Sequence, residues 1–324
     1  MAGRHNTFMN GLRGFAVLFL VLLFSESSFS QTVTRIVVPF AAGGVQDIIA
    51  RSIGAELGAA LGQTVIVENR TGAGGTIGNA SVAKAPADGQ TLLLAAASHT
   101  ITGHMYPKLP YHPIDDFTGV AHIGRFDYVL MISTQLPARS VREFIDYAKA
   151  NPGKLNYASA GNGSATHHSM AYLAGLAGIQ MVHVPYKATN EAVNDVVAGR
   201  SHAAMPSAIG ALPFTKEPRV RMLAVTGTAP SKFLPELPTV AETLPGYQFD
   251  SWIGLLAPAA TPKATVEQIN AAMAKLLQDP VILERLDKQG VVPRAMTPDA
   301  FNALLRDDFA KMGQVVKTAG AKID

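Results

Sequence analysis

The sequence predicts an α/β protein of two lobes, and three observations carry that expectation. Short apolar segments alternate with segments of helical period along most of the 324 residues, the pattern of sheets covered by helices. Two long apolar runs, Val120–Ser133 and Gln248–Pro258, interrupt the alternation and read as strands crossing between lobes. From Pro262 to Asp324 the periodicity is mostly helical. These features imply a discontinuous first lobe, residues 31–126 plus 253–324, and a continuous second lobe, 127–252.

The first thirty residues stand apart. Arg4 and Arg13 give a positive start, Gly14–Phe24 is apolar but too short to span a bilayer, and Ser28-Phe29-Ser30 places small residues where a signal peptidase reads. A signal peptide over 1–30, cleaved near Ser30/Gln31, is expected; an uncleaved N-terminal anchor is the alternative.

The expected elements then follow in order. A strand at Ile36–Phe40 leads into a helix near Gln46–Leu61, whose Ile49, Ile53, Leu57 and Leu61 recur four apart on one face. Strand Thr64–Glu68, a glycine loop, a helix near Ile77–Ala85, the Asp88-Gly89 turn and strand Thr91–Ala96 complete the first block. A loop-rich stretch with His99 and His104 comes next. Ser140 opens a helix, with Glu143 placed as its capping-box partner. Leu155–Ser159 is a strand and Ser164–Ala177 a helix with Met170, Leu173 and Leu176 as its apolar edge. Strand Met181–Pro185, helix Asn190–Ala198 and strands Ser201–Met205 and Arg221–Thr226 continue the rhythm, which argues for parallel sheets. Helices are expected at Thr265–Gln278 and Pro280–Gln289, and from Pro298, capped by Thr297, to about Lys317. Only Val291-Val292-Pro293 breaks that block as a short strand.

Composition narrows the function. With 27 Lys+Arg against 24 Asp+Glu the chain is nearly balanced, and no basic stripe or aromatic platform suggests nucleic acid, despite a pI near 9.0. The absence of cysteine removes disulfides, thiol nucleophiles and cysteine-based zinc sites. A mature chain of roughly 290 residues can hold its fold by core burial alone. There is no G-x-S-x-G elbow, no H-E-x-x-H and no carboxylate-rich metal loop. The adjacent pair His167-His168 points in directions about 100° apart on a helix and cannot jointly grip one ion.

What the sequence offers instead is a set of anion seats. The first N–H groups of a helix lack acceptors within it and lie at a dipole end worth about +0.5 charge, so a strand running through a glycine turn into a helix favours a carboxylate or phosphate. Phe40, Ala41, Ala42, Gly43, Gly44, Gln46 and Asp47 form the first such junction, Asp47 being expected to tie the loop rather than act as a base. Gly161, Gly163, Ser164, Ala165, Thr166 and His167 form the second, where two hydroxyls add donors and His167 packs at the helix start.

A third loop, Asn69–Gly78, follows a strand, but Ile77 stands where a dinucleotide fingerprint needs its last glycine. Gly75 and Thr76 of that loop are instead read as backbone donors to the same ligand, with Ser98, His99 and His104 as further candidates for the cleft. Tyr186, Lys187, Thr189 and Asn190 lie at another strand-to-helix junction, where Lys187 is either a cleft cation or a solvated surface lysine. Ser207 follows the Ser201–Met205 strand. Trp252, in the second crossing run, is either core or the floor of a ligand pocket. Two lobes facing each other across such loops make a cleft lined by helix N-termini.

These motifs carry a resemblance. Val38-Pro39-Phe40 with Gly43-Gly44 and Asp47, Val67-Glu68-Asn69-Arg70 with Gly72-Ala73-Gly74-Gly75, and Tyr106-Pro107-Lys108-Leu109-Pro110-Tyr111 occur in order, followed by Gly161-Asn162-Gly163-Ser164 with His167, Val184-Pro185-Tyr186-Lys187, and Trp252 with Gly254 and Ala257-Pro258. As an ordered set spanning the mature chain they resemble the Bug (TctC-like, UPF0065) family, the periplasmic solute-binding receptors of tripartite tricarboxylate transporters.

The resemblance implies a Venus-flytrap fold of the type II-like periplasmic-binding-protein class. It implies capture of a small carboxylated solute through backbone groups, hydroxyls and water, and delivery to a membrane permease. No catalysis, cofactor or metal is implied, and the protein is expected to be a periplasmic monomer. Two helix ends suit a di- or tricarboxylate or an aromatic acid. Three positions depart from the family pattern: Gln46 where a small hydroxyl residue is common, Ala188-Thr189 where glycine usually follows Pro-Tyr-Lys, and Pro206 where an acidic residue is frequent. All three touch the expected cleft, so the family does not supply the ligand's identity. A sensor presenting its ligand to a membrane kinase ectodomain would use the same cleft, and a secreted α/β hydrolase is the enzymatic alternative.

Overall fold

The computed structural model describes residues 32–319 apart from 107, 228 and 250, so the expected signal peptide and its cleavage site lie outside the described residues. Two sheets organise the chain. The first has the order β11-β4-β10-β3-β1-β2 and the second β7-β6-β8-β5-β9. In chain order the strands are β1 Val33–Val38, β2 Thr64–Asn69, β3 Thr91–Ala96, β4 Phe117–Phe126, β5 Val129–Ser133, β6 Leu155–Ser159, β7 Met181–Pro185, β8 Ala203–Ala204, β9 Val220–Val225, β10 Ser251–Pro258 and β11 Val292–Pro293.

The helices that matter most here are α1 Val45–Leu61, α2 Thr76–Ala83, α3 Ser98–Met105, α4 Val141–Ala150, α5 Ala165–Ala177 and α6 Thr189–Val197. The short α7 Ala208–Ala211 and α8 Val240–Thr243 precede α9 Lys263–Leu276, α10 Pro280–Asp287 and α11 Pro298–Ala319.

The expectation of parallel pairing holds only around β1 in the first sheet and β6 in the second. β1 runs parallel to β2 and β3, and β6 parallel to β7 and β8. β4, β10 and β11 join the first sheet antiparallel, and β5 is antiparallel to β8 and β9. Both crossing runs cause this. The chain leaves the first sheet along β4 and returns along β10, and a returning strand enters its sheet in the opposite direction. All eight residues of β10 and all five of β5 are buried, so strands covered on both faces read as continuous apolar runs rather than alternating ones.

The two crossings are tied to each other. Tyr128 N–H donates to Thr226 Oγ1 at 2.9 Å, and Thr226 N–H donates back to the Tyr128 carbonyl at 2.9 Å. Phe249 N–H then donates to the Thr226 carbonyl at 3.2 Å.

Local signals explain the helices. Ile49, Ile53 and Leu57 are fully buried on one face of α1, which ends at Gly62 in the left-handed region, its N–H returning to Ala59. Gly54 and Gly58 let α1 lie close to β2: a Cβ on Gly58 would stand 2.7 Å from the Gln63 carbonyl oxygen. Ser140 caps α4 by accepting Glu143 N–H at 3.2 Å, while the Glu143 carboxylate accepts from Arg139 N–H rather than from Ser140. α5 is buried almost all round, because α11 packs on the side that the sheet leaves free. α3 departs from the sequence reading, which expects a loop there. Its β-branched and polar residues show no helical apolar period, yet Ser98 through Thr102 are all buried in it.

Glycine in the crossing strand β10 is required by packing. A Cβ on Gly254 would lie 2.5 Å from the Phe301 ring of α11 and 2.7 Å from the Ala121 carbonyl oxygen of β4. Gly254→Ala is therefore expected to cost about 1–3 kcal/mol, read as a melting temperature several degrees lower with an unchanged far-UV spectrum. A melting temperature equal to that of the parent would disprove this account of the β4–β10–α11 contact.

Candidate functional site

The loops that leave the carboxyl ends of β1, β2, β6 and β7 each open a helix, and the structure brings several of them together. The Phe40 ring packs over the loop after β2: a Cβ on Gly75 would meet Pro39 at 3.3 Å and the Phe40 ring at 3.5 Å. A Cβ on Gly74 would lie 3.7 Å from the Asn162 carbonyl oxygen, in the loop after β6. Within the second body, Gly161 adjoins the Tyr186 carbonyl, 3.1 Å from where its Cβ would stand. The first-sheet loops around 40–44 and 72–75 and the second-sheet loop 161–164 thus converge at one place.

The first loop presents backbone. Ala41, Ala42, Gly43 and Gly44 are exposed, and α1 begins at Gly44 without any side-chain cap. Asp47 holds this arrangement from below. Its buried carboxylate accepts Gly43 N–H at 2.9 Å and pairs with Arg51 at 3.0 Å. Arg51 in turn donates to Asn69 Oδ1, and Asn69 donates to the Phe40 carbonyl at 3.0 Å. Burial pushes the Asp47 pKa up, but the Arg51, Gly43 and Asn69 hydrogen bonds outweigh it and leave the group below its ordinary value. Asp47 is charged and internally committed, as expected of a residue that ties the loop. Gln46, half-buried beside it, stands in the first turn of α1.

The loop 72–75 is unusual in its backbone. Gly72, Ala73, Gly74 and Gly75 all have positive φ, of 128°, 45°, 65° and 97°, so four successive residues adopt conformations that only glycine enters without cost. Gly75 N–H closes the turn on the Gly72 carbonyl at 3.0 Å, and α2 starts directly after it at Thr76, which is buried.

The second seat is held by hydroxyls and neutral imidazoles. Ser164 caps α5, accepting His167 N–H at 3.2 Å, and spends its own proton on the Gly161 carbonyl at 2.7 Å. Thr166 Oγ1 accepts Ala160 N–H at 2.9 Å. Both side chains also shape the loop from within, Ser164 with its own proton and Thr166 as an acceptor that lies 3.0 Å from Ser164 Oγ. Gly163, at φ 79°, donates to His167 Nδ1 at 3.4 Å. The His167 ring lies face to face with His183 at 3.9 Å between centroids, and His183 Nε2 is 2.6 Å from Ser159 Oγ. That hydroxyl in turn accepts Gly161 N–H. Burial lowers the pKa of His167 to about 3, with His183 adding to it, and burial lowers that of His183 to about 4. His168 is fully buried and lies well below its ordinary value for the same reason. Burial thus favours the neutral form of these histidines at pH 7, and the loop is held by uncharged side chains and backbone groups.

Other sequence-predicted residues fall elsewhere. Trp252 is 4% exposed, donates its indole N–H to Asp308 at 2.8 Å and meets Phe301 edge-on; it is core beneath α11, not a pocket floor. The His99 ring is buried between Tyr111 and Phe117 and bonded to the Pro113 carbonyl, and Ser98 is buried at the start of α3. His104 likewise packs on Phe309. The Tyr186 hydroxyl donates to Asp195, which Arg200 also holds, so its carbonyl rather than its phenol approaches the second loop.

Lys187 is exposed, and its N–H donates to Glu191. Asn190 Oδ1 accepts the next residue's N–H; Thr189 begins α6. Ser207 caps α7 beside the first crossing, where it bridges to Tyr128. Sequence reasoning missed Tyr106, whose hydroxyl reaches the 72–75 loop, 3.1 Å from where a Gly74 Cβ would stand. Its signal was its place in the Tyr106–Tyr111 motif immediately after the unrecognised α3.

Comparison with known proteins places the whole described fold among relatives. Residues 49–321 match the family described as "Tripartite tricarboxylate transporter family receptor". A UPF0065 protein in the tcbD-tcbE intergenic region of Pseudomonas sp. strain P51 is 36% identical over 282 residues, 86% of this chain and 84% of that protein. Among solved structures, Rhodopseudomonas palustris Rpa4515 with adipate has a TM-score of 0.81 at 32% identity, covering 91% of this chain and all of that one. MatC (Rpa3494) from the same organism, with bound malate, has a TM-score of 0.78 at 32% identity and covers 89% of this chain and 100% of that one.

Two outcomes follow from the geometry. Asp47→Asn removes the charge that holds Gly43 N–H and Arg51, and an expected loss of about 1–3 kcal/mol at pH 7 should shrink as pH falls through the depressed folded-state pKa of the parent Asp47. Denaturant unfolding of both proteins from pH 7 to pH 3 checks this, and a pH-independent difference would argue against the carboxylate's role. The buried histidines act in the same direction. Unfolded histidines gain protons below about pH 6.5 while His167 and His183 do not until about pH 3 and 4, so stability falls as pH drops through that window. His183→Phe should flatten the slope of unfolding free energy against pH; an unaltered slope would count against it.

Proposed function

The chain belongs to the tripartite tricarboxylate transporter receptor family, and from that premise we propose that this solute-binding receptor works in the periplasm, capturing a small organic carboxylate and delivering it to a transporter of the tripartite tricarboxylate type. The two sheets then serve as two lobes, divided as 31–126 plus 253–324 and 127–252, with the crossings at Asp127-Tyr128 and before β10 between them. The uncapped start of α1 and the start of α5, brought together by the converging glycine loops, are the observation that carries the reading. Helix starts favour negative charge, and two of them, one per lobe, suit a di- or tricarboxylate or an aromatic acid. The relatives solved with adipate and with malate support a ligand of this class.

The energetics are adequate without a buried cation. Micromolar binding needs about 8 kcal/mol. Hydrogen bonds to a charged group contribute about 1.5–3 kcal/mol each before ordering costs are subtracted, so several amides divided between two lobes suffice. Neutral His167 and His183 fit this scheme, since they fix the loop amides without adding a charge that would have to be desolvated with the ligand. Ligand held from both sides closes the lobes, and closure gives the transporter a surface to recognise.

Thermal melts of ligand-free protein with adipate, malate, citrate, succinate and benzoate test this. At least one acid is expected to raise the melting temperature by several degrees, since saturation at about 100 times Kd adds about 2.7 kcal/mol. No shift with any of them, in protein shown to be free of carried-over solute, would refute the carboxylate reading.

A further inference from the structure

The phenol of Tyr106 is a polar group that the scheme above leaves unused. The residue follows α3, its N–H closing that helix on Thr102, and its half-buried ring packs against the main apolar cluster. Among the described residues no group accepts from or donates to its hydroxyl, in contrast to Tyr111, held by Asn79 and Thr102, and to Tyr186, held by Asp195. Position makes this free donor informative. The hydroxyl, just after α3, and the Asn162 carbonyl, in the loop after β6, both lie within 4 Å of the point where a Gly74 Cβ would stand.

Three features therefore meet at one spot: the glycine run 72–75, the tip of the second loop, and an uncommitted hydroxyl. The first of them explains itself in this light. Gly74, at φ 65°, already favours glycine by its backbone, and any side chain there would cover the Tyr106 hydroxyl. Burial raises the Tyr106 pKa, so the phenol keeps its proton throughout the neutral range and can only help an anion as a donor.

We propose that the Tyr106 hydroxyl contacts the bound solute, donating a hydrogen bond to one of its carboxylates where the two lobes meet, and so helps set affinity and selectivity. The proposal rests on the carboxylate reading above. Adjacent loops supply backbone N–H groups of fixed direction; a phenol at the end of a packed ring adds a side-chain donor whose reach is set by the core behind it. The residue thereby favours solutes long enough to touch both the amide seats and the Tyr106 position.

Tyr106→Phe removes this donor while keeping the ring, and Gly74→Ala covers it with a methyl group. The parent and both variants are titrated calorimetrically with adipate, malate, citrate, succinate and benzoate, with melting temperature and far-UV spectrum as fold controls. Tyr106→Phe is expected to keep its melting temperature and to bind the parent's preferred acid about 10- to 100-fold more weakly, the range for a hydrogen bond to a charged group. Gly74→Ala should weaken the same acid. Affinity unchanged in Tyr106→Phe for an acid that the parent binds would overturn the contact and leave the carboxylate reading standing. Absence of binding by the parent to every acid would overturn that reading and the contact with it. Should Tyr106→Phe prove unstable, Gly74→Ala decides: unaltered affinity in a folded Gly74→Ala protein also overturns the proposal.

Discussion

Everything else in this fold depends on two crossing strands lying side by side. β4 and β10 pair antiparallel along their whole length, from Ser251 opposite Phe126 to Pro258 opposite Phe117, and both are buried strands near the middle of the first sheet. Because the exit and the return are neighbours, the second sheet hangs from a narrow double connection, itself stitched by the Tyr128–Thr226 hydrogen bonds. One apolar cluster runs through residues of both sheets, and α11 packs along α5. The doubled crossing and this shared packing together hold the carboxyl ends of β1, β2 and β6 within reach of one another.

At those loops the protein uses charge sparingly. Asp47 and Arg51 neutralise each other below the first loop, and the Asp195, Arg200 and Tyr186 cluster does the same beside the second. The histidines between them are neutral. A buried cation facing the ligand would have to be desolvated in the unliganded protein, at a cost that grows with burial. Backbone amides at helix starts carry their positive potential without that penalty, since they are part of the helices that the sheets already fix.

Much of this was legible in the residues. Leu155–Ser159, Met181–Pro185 and Thr91–Ala96 emerge as strands at their expected bounds, because short apolar runs between turn residues leave few alternatives. Ser140 caps its helix as its chemistry predicts. Strand direction was not legible, since a run buried on both faces has no polarity and parallel or antiparallel pairing is decided by where the chain returns. α3 escaped because its buried face is polar and β-branched.

At the site, the loops could be located from glycine spacing, but the direction of each side chain could not. Trp252, His99 and Tyr186 sit at the right places in the chain and turn their functional atoms toward Asp308, Pro113 and Asp195. Those partners are brought in by tertiary folding, 56, 14 and 9 residues along the chain, where no spacing rule reaches.

The final helix has a mechanical consequence. α11 packs on β4 and α3 of the first body and also along α5 of the second, so the two bodies touch away from the crossings as well as through them. A pure hinge would have to pull α5 off α11 and expose the apolar seam between them. Side chains on packed helices interlock as ridges in grooves, so a rotation of one body about the crossings also works against the α5–α11 contact.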